Sequence, residues 1–182
     1  NPVVTIQYTA EATYSVTAAA YDTTGYYHDS ANSSADSITI ENYAYGGTNF
    51  GYFAGGWSGG WPSTSSIIEK YSYSSATNAA QVGNMSYSAM ATAGGQSTTH
   101  GYTAGGYYAP VYRNNCCKMS FSSEGTASAV GTMVSSAGWV SGNSSLTHFY
   151  VHGGGGNAEK IGKTSFASGG NLAVTYNGGN NI

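Results

Sequence analysis

The feature that most constrains this chain is an internal repeat. Shifted by 48 residues, Lys70–Gly106 falls on Lys118–Gly154 without a gap, and 17 of the 37 positions are identical. The matches keep one order. Lys70-Tyr-Ser-Tyr-Ser-Ser75 meets Lys118-Met-Ser-Phe-Ser-Ser123, and Val82-Gly83-Asn84-Met85 meets Val130-Gly131-Thr132-Met133. Thr99-His100-Gly101-Tyr102 meets Thr147-His148-Phe149-Tyr150, and Gly105-Gly106 meets Gly153-Gly154. Partial copies flank these. Ile161–Ser168 repeats the opening, Ile40–Tyr45 matches Ile68–Tyr73, and Gly51–Gly56 matches Gly101–Gly106. Gly25-Tyr26-Tyr27 reads as a worn copy. An abundance of Ser, Ala, Gly and Thr makes single matches cheap, but composition does not place Lys, Val-Gly-x-Met, Thr-His and Tyr in one register.

A chain that repeats itself stacks similar units, each burying a face that it cannot bury alone. Within a unit the signals are of β type. Ile68, Lys70 and Ser72 alternate with Glu69, Tyr71 and Tyr73 at the two-residue period of a half-buried strand. The Ser-Ser-Ala-Thr-Asn stretch that follows reads as a turn. Gly101–Gly106 reads as an inner strand ending in a glycine pair, and Tyr107–Tyr112 as another short aromatic strand. No stretch combines helical periodicity with caps. The expectation is an all-β fold of propeller-type blades, because about 50 residues with several short strands suits a blade.

Composition narrows the setting. Charged residues make up 7% of the chain, against roughly 25% in an ordinary domain. The 17 Tyr, 5 Phe and 3 Trp are too many for a disordered chain. No apolar run approaches the roughly 20 residues that span a bilayer, so membrane insertion is not expected. A net charge of −3 without a basic stripe gives no footing for nucleic acid. Neutral polar surfaces of this kind fit extracellular and particle-bound β-proteins. The two cysteines, Cys116 and Cys117, are adjacent, which excludes a framework of disulfides. A vicinal bridge is strained, and two unpaired thiols in a strand are expected.

The series Ile68-Glu-Lys-Tyr71, then Val82-Gly-Asn-Met85, then Thr99-His-Gly-Tyr-Thr-Ala-Gly-Gly106 resembles the kelch repeat. More closely, it resembles divergent kelch-type arrays of marine bacteriophages, cyanophages among them, whose proteins are thought to be virion structural or tail-fibre components. The resemblance covers about residues 38–175. It implies kelch-like β-propeller blades in a partial or oligomer-completed ring. On that reading 1–37 is a degenerate N-terminal blade portion, 38–64 a shortened repeat, 65–112 and 113–160 full repeats, and 161–182 a truncated C-terminal repeat, one repeat domain in all. The copy 65–110 lacks the Trp that kelch repeats carry after their Tyr, and Phe149 stands where the preceding copy has Gly101.

Candidate functional residues were weighed against structural roles. His100 and His148 share one repeat position, which suits a structural part in each unit better than a metal ligand. His148 and His152 lie four apart, and no third ligand accompanies them, so no metal or other cofactor is expected. Asp22, Asp29 and Asp36 read as solvated loop acids, and the triplets at Asn32, Asn84 and Asn143 as accidents of a Ser-rich chain. Gly55, Gly56, Gly105, Gly106, Gly153 and Gly154 read as structural residues of the repeat. The binding candidates are Trp57 and Trp61, set among glycines, with Tyr107 and Tyr108. Exposed aromatics beside flexible neighbours stack on sugar rings or fill protein contacts.

No paired carboxylates or nucleophile motif appear, so an enzyme is not expected. The expectation is a virion structural or host-attachment protein, of capsid-decoration, appendage or tail-fibre type. Its partners would be other virion proteins, copies of itself, or a host-surface glycan. The alternative is a secreted bacterial carbohydrate-binding module or surface adhesin. Either way the protein works on a virion surface or outside a cell.

Overall fold

A computed structural model describes residues 12–16, 36–40, 49–60, 62–156 and 160–177. The fold is all-β, and among the described residues there is no helix. The chain divides into two units, Asn1–Ala44 and Tyr45–Ile182. In the first, β1 (Ala12–Val16) pairs antiparallel with β2 (Asp36–Ile40), with Ala12 opposite Ile40. The readings placed on Asp22, Gly25-Tyr26-Tyr27, Asp29, Asn32 and Trp61 lie outside the described residues.

Three larger sheets follow one another in the second unit. Sheet I has β3 (Phe50–Ala54), β4 (Ile67–Ser72) and β5 (Ala80–Asn84). Sheet II starts with β6 (Ala93–Gln96) and β7 (His100–Ala104). The chain then makes a small ribbon of β8 (Tyr107–Tyr108) and β9 (Val111–Tyr112) before β10 (Asn115–Ser120). Next, β11 (Gly125–Thr126) leaves sheet II to pair with β5 of sheet I, and β12 (Ser128–Thr132) returns to give the order β6-β7-β10-β12. Sheet III is led in by β13 (Ala137–Gly138) and has β14 (Ser141–Ser144) and β15 (His148–His152). β16 (Gly155–Gly156) pairs back on β13, and β17 (Lys160–Ser165) and β18 (Gly169–Asn177) complete the order β14-β15-β17-β18.

The 48-residue shift carries β4 onto β10, β5 onto β12, β6 onto β14 and β7 onto β15, residue for residue. The repeat and the sheet therefore have one length and different phases. Residues 65–112 supply β4 and β5 to sheet I, then β6 and β7 to sheet II. The stretch 107–112, read from sequence as a single strand, is instead a ribbon of two. Pro110 explains the break, since it has no amide hydrogen to give to a ladder.

A β-bulge recurs at one place in all three sheets. The register slips between Ile68 and Glu69, between Cys116 and Cys117, and between Ile161 and Gly162. The residue passed over on the partner strand is Val82, Val130 or Thr175. This gives the Val-Gly-x-Met motif a physical meaning. The Val is the extra residue of the bulge, which bends and twists its strand. The Gly admits the turn of the next sheet: a Cβ on Gly83 would run into the carbonyl of Gly125, and one on Gly131 would stand 2.5 Å from the Gly170 backbone. The Met, buried as Met85 and Met133, plugs the core behind. In sheet III the residue in the register position of Gly83 and Gly131 is Tyr176.

Two hydrophobic cores lie between successive sheets. Ile68 and Met85 of sheet I meet Cys117, Met119 and Ala127 of sheet II. Tyr102, Ala104 and Cys116 on the other face of sheet II meet Val140, Phe149, Val151 and Leu172 of sheet III. Neighbouring strand residues point to opposite faces. Cys116 and Cys117 therefore enter different cores, both as free buried thiols.

Candidate functional site

The glycine pairs mark one end of each sheet. Gly55-Gly56, Gly105-Gly106 and Gly153-Gly154 all have positive φ, between 65° and 113°. A side chain there is strained, so glycine is needed where the chain leaves β3, β7 and β15. The second glycine also ties its sheet to the segment that leads into the next. Gly56 N donates to Ala89 O at 3.0 Å, and Gly106 N to Ala137 O at 2.8 Å. Backbone bonds repeat along with the sequence. Ser65 N donates to Gly56 O, and Arg113 N to Gly106 O. The glycine-pair end is thus a frame from which residues 57–60, 62–64 and 107–112 continue.

Sheet II carries the largest aromatic group at this end. Tyr107 and Tyr112 face each other across the β8–β9 ribbon, with ring centres 5.3 Å apart. Trp139 closes the group, 5.2 Å from Tyr107 and 6.1 Å, edge-on, from Tyr112. Trp139 is 56% exposed and has φ +54°. The other face of the ribbon presents Tyr108 and Val111, 42% and 52% exposed, and the guanidinium of Arg113 lies 4.8 Å from the Tyr108 ring. In sheet I, Trp57 occupies the place of Tyr107, is exposed, and makes an isolated bridge with Thr64.

Of the binding residues expected from sequence, the structure joins Tyr107 and Tyr108 in one ribbon and places Trp57 at the matching position of sheet I. Sequence reasoning missed Tyr112, Arg113 and Trp139. A signal for Trp139 was present: it stands 48 residues after Ala91, and both adopt the same left-handed backbone, φ +54° and +55°. A Trp replacing Ala at a strained turn is a departure that the repeat itself does not call for.

The histidines take matching local bonds at the opposite end of β7 and β15. His100 Nδ1 lies 2.8 Å from Thr99 Oγ1, and His148 Nδ1 lies 2.8 Å from Thr147 Oγ1. Their amides donate to Ser97 and Ser145 Oγ. Among the described residues, no three His, Cys, Asp or Glu side chains gather as metal ligands would. One salt bridge, Lys70 to Glu124 at 2.6 Å, joins sheets I and II, and Tyr52 OH donates to the same carboxylate at 3.3 Å. Beside this tie the described residues line a solvent-open cavity of about 520 Å³, with Tyr52, Gly101, Thr103, Phe121 and Ala127 among its walls.

No protein-family model and no curated protein matches the chain. The reading of the site therefore rests on its own chemistry. The glycine-pair end offers ring faces and a guanidinium on a rigid frame, which is equipment for contact.

Proposed function

We propose that this chain is a non-enzymatic structural or host-attachment protein of a virion, built of kelch-like propeller blades, that makes glycan contacts through the glycine-pair end of its sheets. Sheets II and III share one strand order, one bulge position and one exit through a glycine pair, and sheet I shares the last two, which supports the blade reading. The three larger sheets among the described residues fall short of the four to eight blades of a closed ring, and on this reading further copies of the chain or a longer native protein would complete it. Assignment to a virion rests on the resemblance of the repeats to phage arrays.

The observation that carries the contact reading is Trp139. A left-handed backbone costs an ordinary residue roughly 1–2 kcal/mol, and a large exposed ring gains little from burial there. Ala91 holds the same left-handed backbone at the matching turn, so the strain belongs to the repeat, and what is particular to Trp139 is a large exposed ring set there. Its ring, with Tyr107 beside it, is a platform on which a sugar ring stacks. The test is Trp139→Gly, which removes strain and ring together. The unfolding midpoint stays within about 3 °C of the native value, while the variant binds bacterial surface polysaccharides on an array about tenfold more weakly than the native chain. A variant that binds as the native chain does, or a native chain that binds no glycan, overturns the reading.

A further inference from the structure

Among the described residues Arg113 is a cation without a counter-charge. Among the described residues the one salt bridge takes Lys70 and Glu124, and no carboxylate meets the Arg113 guanidinium. Its Nε is buried and has no hydrogen-bond partner. Such an atom is uncommon in a folded protein, and leaving a charged donor unmatched costs more than leaving a neutral one. The side chain is nevertheless well held. Its amide is bonded to Gly106 O at 2.8 Å, at the base of the ribbon, and its guanidinium is covered on one side by the Tyr108 ring at 4.8 Å. Nothing in sheet II accounts for a cation kept at this place, half-buried beside an exposed ring.

The surroundings specify what would match it. Tyr108, whose ring lies against the guanidinium, and Val111, its partner across the ribbon, are both exposed. The phenol of Tyr87, which feels the Arg113 charge, lies inside beside Thr103. Burial above all, then the neighbouring Cys117, pushes that hydroxyl above its ordinary range. It stays neutral and supplies no counter-charge. The buried Nε is out of reach of an incoming group, but the terminal Nη donors are not among the buried atoms, and what they would meet is an anion carried on a body that packs against an aromatic face. A planar fork of N–H donors suits a carboxylate, which it can hold by two parallel bonds.

We propose that the Tyr108–Arg113 face of the ribbon binds the carboxylate of an acidic sugar, a uronic acid unit, with Arg113 pairing the carboxylate and Tyr108 packing on the ring. This rests on the glycan-contact reading and adds the class of sugar. It also separates the two faces of the ribbon. Tyr107, Tyr112 and Trp139 supply stacking that ignores charge, whereas the Arg113 face selects for it.

The test compares a galacturonic acid trisaccharide with its methyl ester on the whole chain by calorimetry. The two differ in charge and in little else. The expected result is that the acid binds at least about tenfold tighter than the ester, and that Arg113→Gln removes this preference by weakening the acid more than the ester. Equal binding of acid and ester to the native chain overturns this proposal and leaves the glycan reading in place. Binding of neither also overturns this proposal, and the polysaccharide array decides the glycan reading separately. Because the acid–ester comparison is made on the native chain, the proposal stays falsifiable even where Arg113→Gln folds poorly.

Discussion

Phe149 of sheet III and Gly101 of sheet II hold the same place in the repeat, and the two junctions between sheets differ accordingly. Between sheets II and III, Phe149 is fully buried, with Tyr102 at 5.8 Å, and Tyr102 in turn lies 4.9 Å from Phe166. Val151 and Leu172 complete that core. Between sheets I and II the equivalent positions hold Gly101, Thr103 and Ala127, and all three line the cavity of about 520 Å³. The backbone scheme is shared: the bulge, the glycine seat and the methionine plug occur in both. The difference teaches that the repeated motifs set how sheets dock, while residues outside the motifs decide how well the space between them is filled. Contact density, and with it local stability, should be greater at the II–III junction.

Truncating the filled junction breaks the comparison most severely. Phe149→Ala lowers the free energy of unfolding by about 3–5 kcal/mol, measured by denaturant titration, because nothing nearby is free to collapse into the gap. A loss below about 1 kcal/mol would mean that this junction is no better packed than the other. Exchanging a matched pair sharpens the contrast. Leu172→Ala costs about 2–5 kcal/mol, whereas Ala127→Leu, at the same repeat position of the hollow junction, adds about 1 kcal/mol. Two changes of equal size would erase the distinction between the junctions.

The cysteines report on both cores at once. Burial, then the neighbouring thiol of Cys117, pushes Cys116 up to about 12. Native protein at pH 8 should therefore leave Cys116 unlabelled by iodoacetamide, and urea should expose it; mass spectrometry of the labelled peptide reads the outcome. Labelling of Cys116 before unfolding would show that the II–III core opens locally.

The smallest effect expected is that of His100. Burial, and then the charge of Lys118, hold it below the ordinary imidazole range. The unfolded chain takes up this proton first as pH falls, so the stability tied to the neutral ring is complete above about pH 6.5 and declines below it. The unfolding midpoint should drop between pH 7 and 5, and His100→Gln should flatten that drop. An unchanged slope would remove His100 from the account.

The period of the repeat, the β character and the glycine pairs were legible in the sequence because each is a local pattern. The phase was not. A sheet begins at β6 and the repeat at Lys70, and no residue near either marks which strands become neighbours. The ribbon at 107–112 was concealed by an aromatic run that reads as one strand, although Pro110 argued for a break. The unpaired thiols were anticipated from strain in a vicinal bridge. Their separation into two cores follows from strand alternation and needed only the assignment of 115–120 as a strand buried on both faces. Trp139 and Arg113 went unnoticed because their roles depend on a turn conformation and on an absent counter-charge, neither of which a residue pattern displays.

We propose that this scaffold works by contact on the surface of a particle. The most direct measurement is peptide mass spectrometry across a density gradient of the source material. The account predicts that peptides of this chain band with a major capsid protein, in a copy number that separates a decoration protein from a fibre. Peptides confined to the soluble or cell-envelope fractions would contradict it.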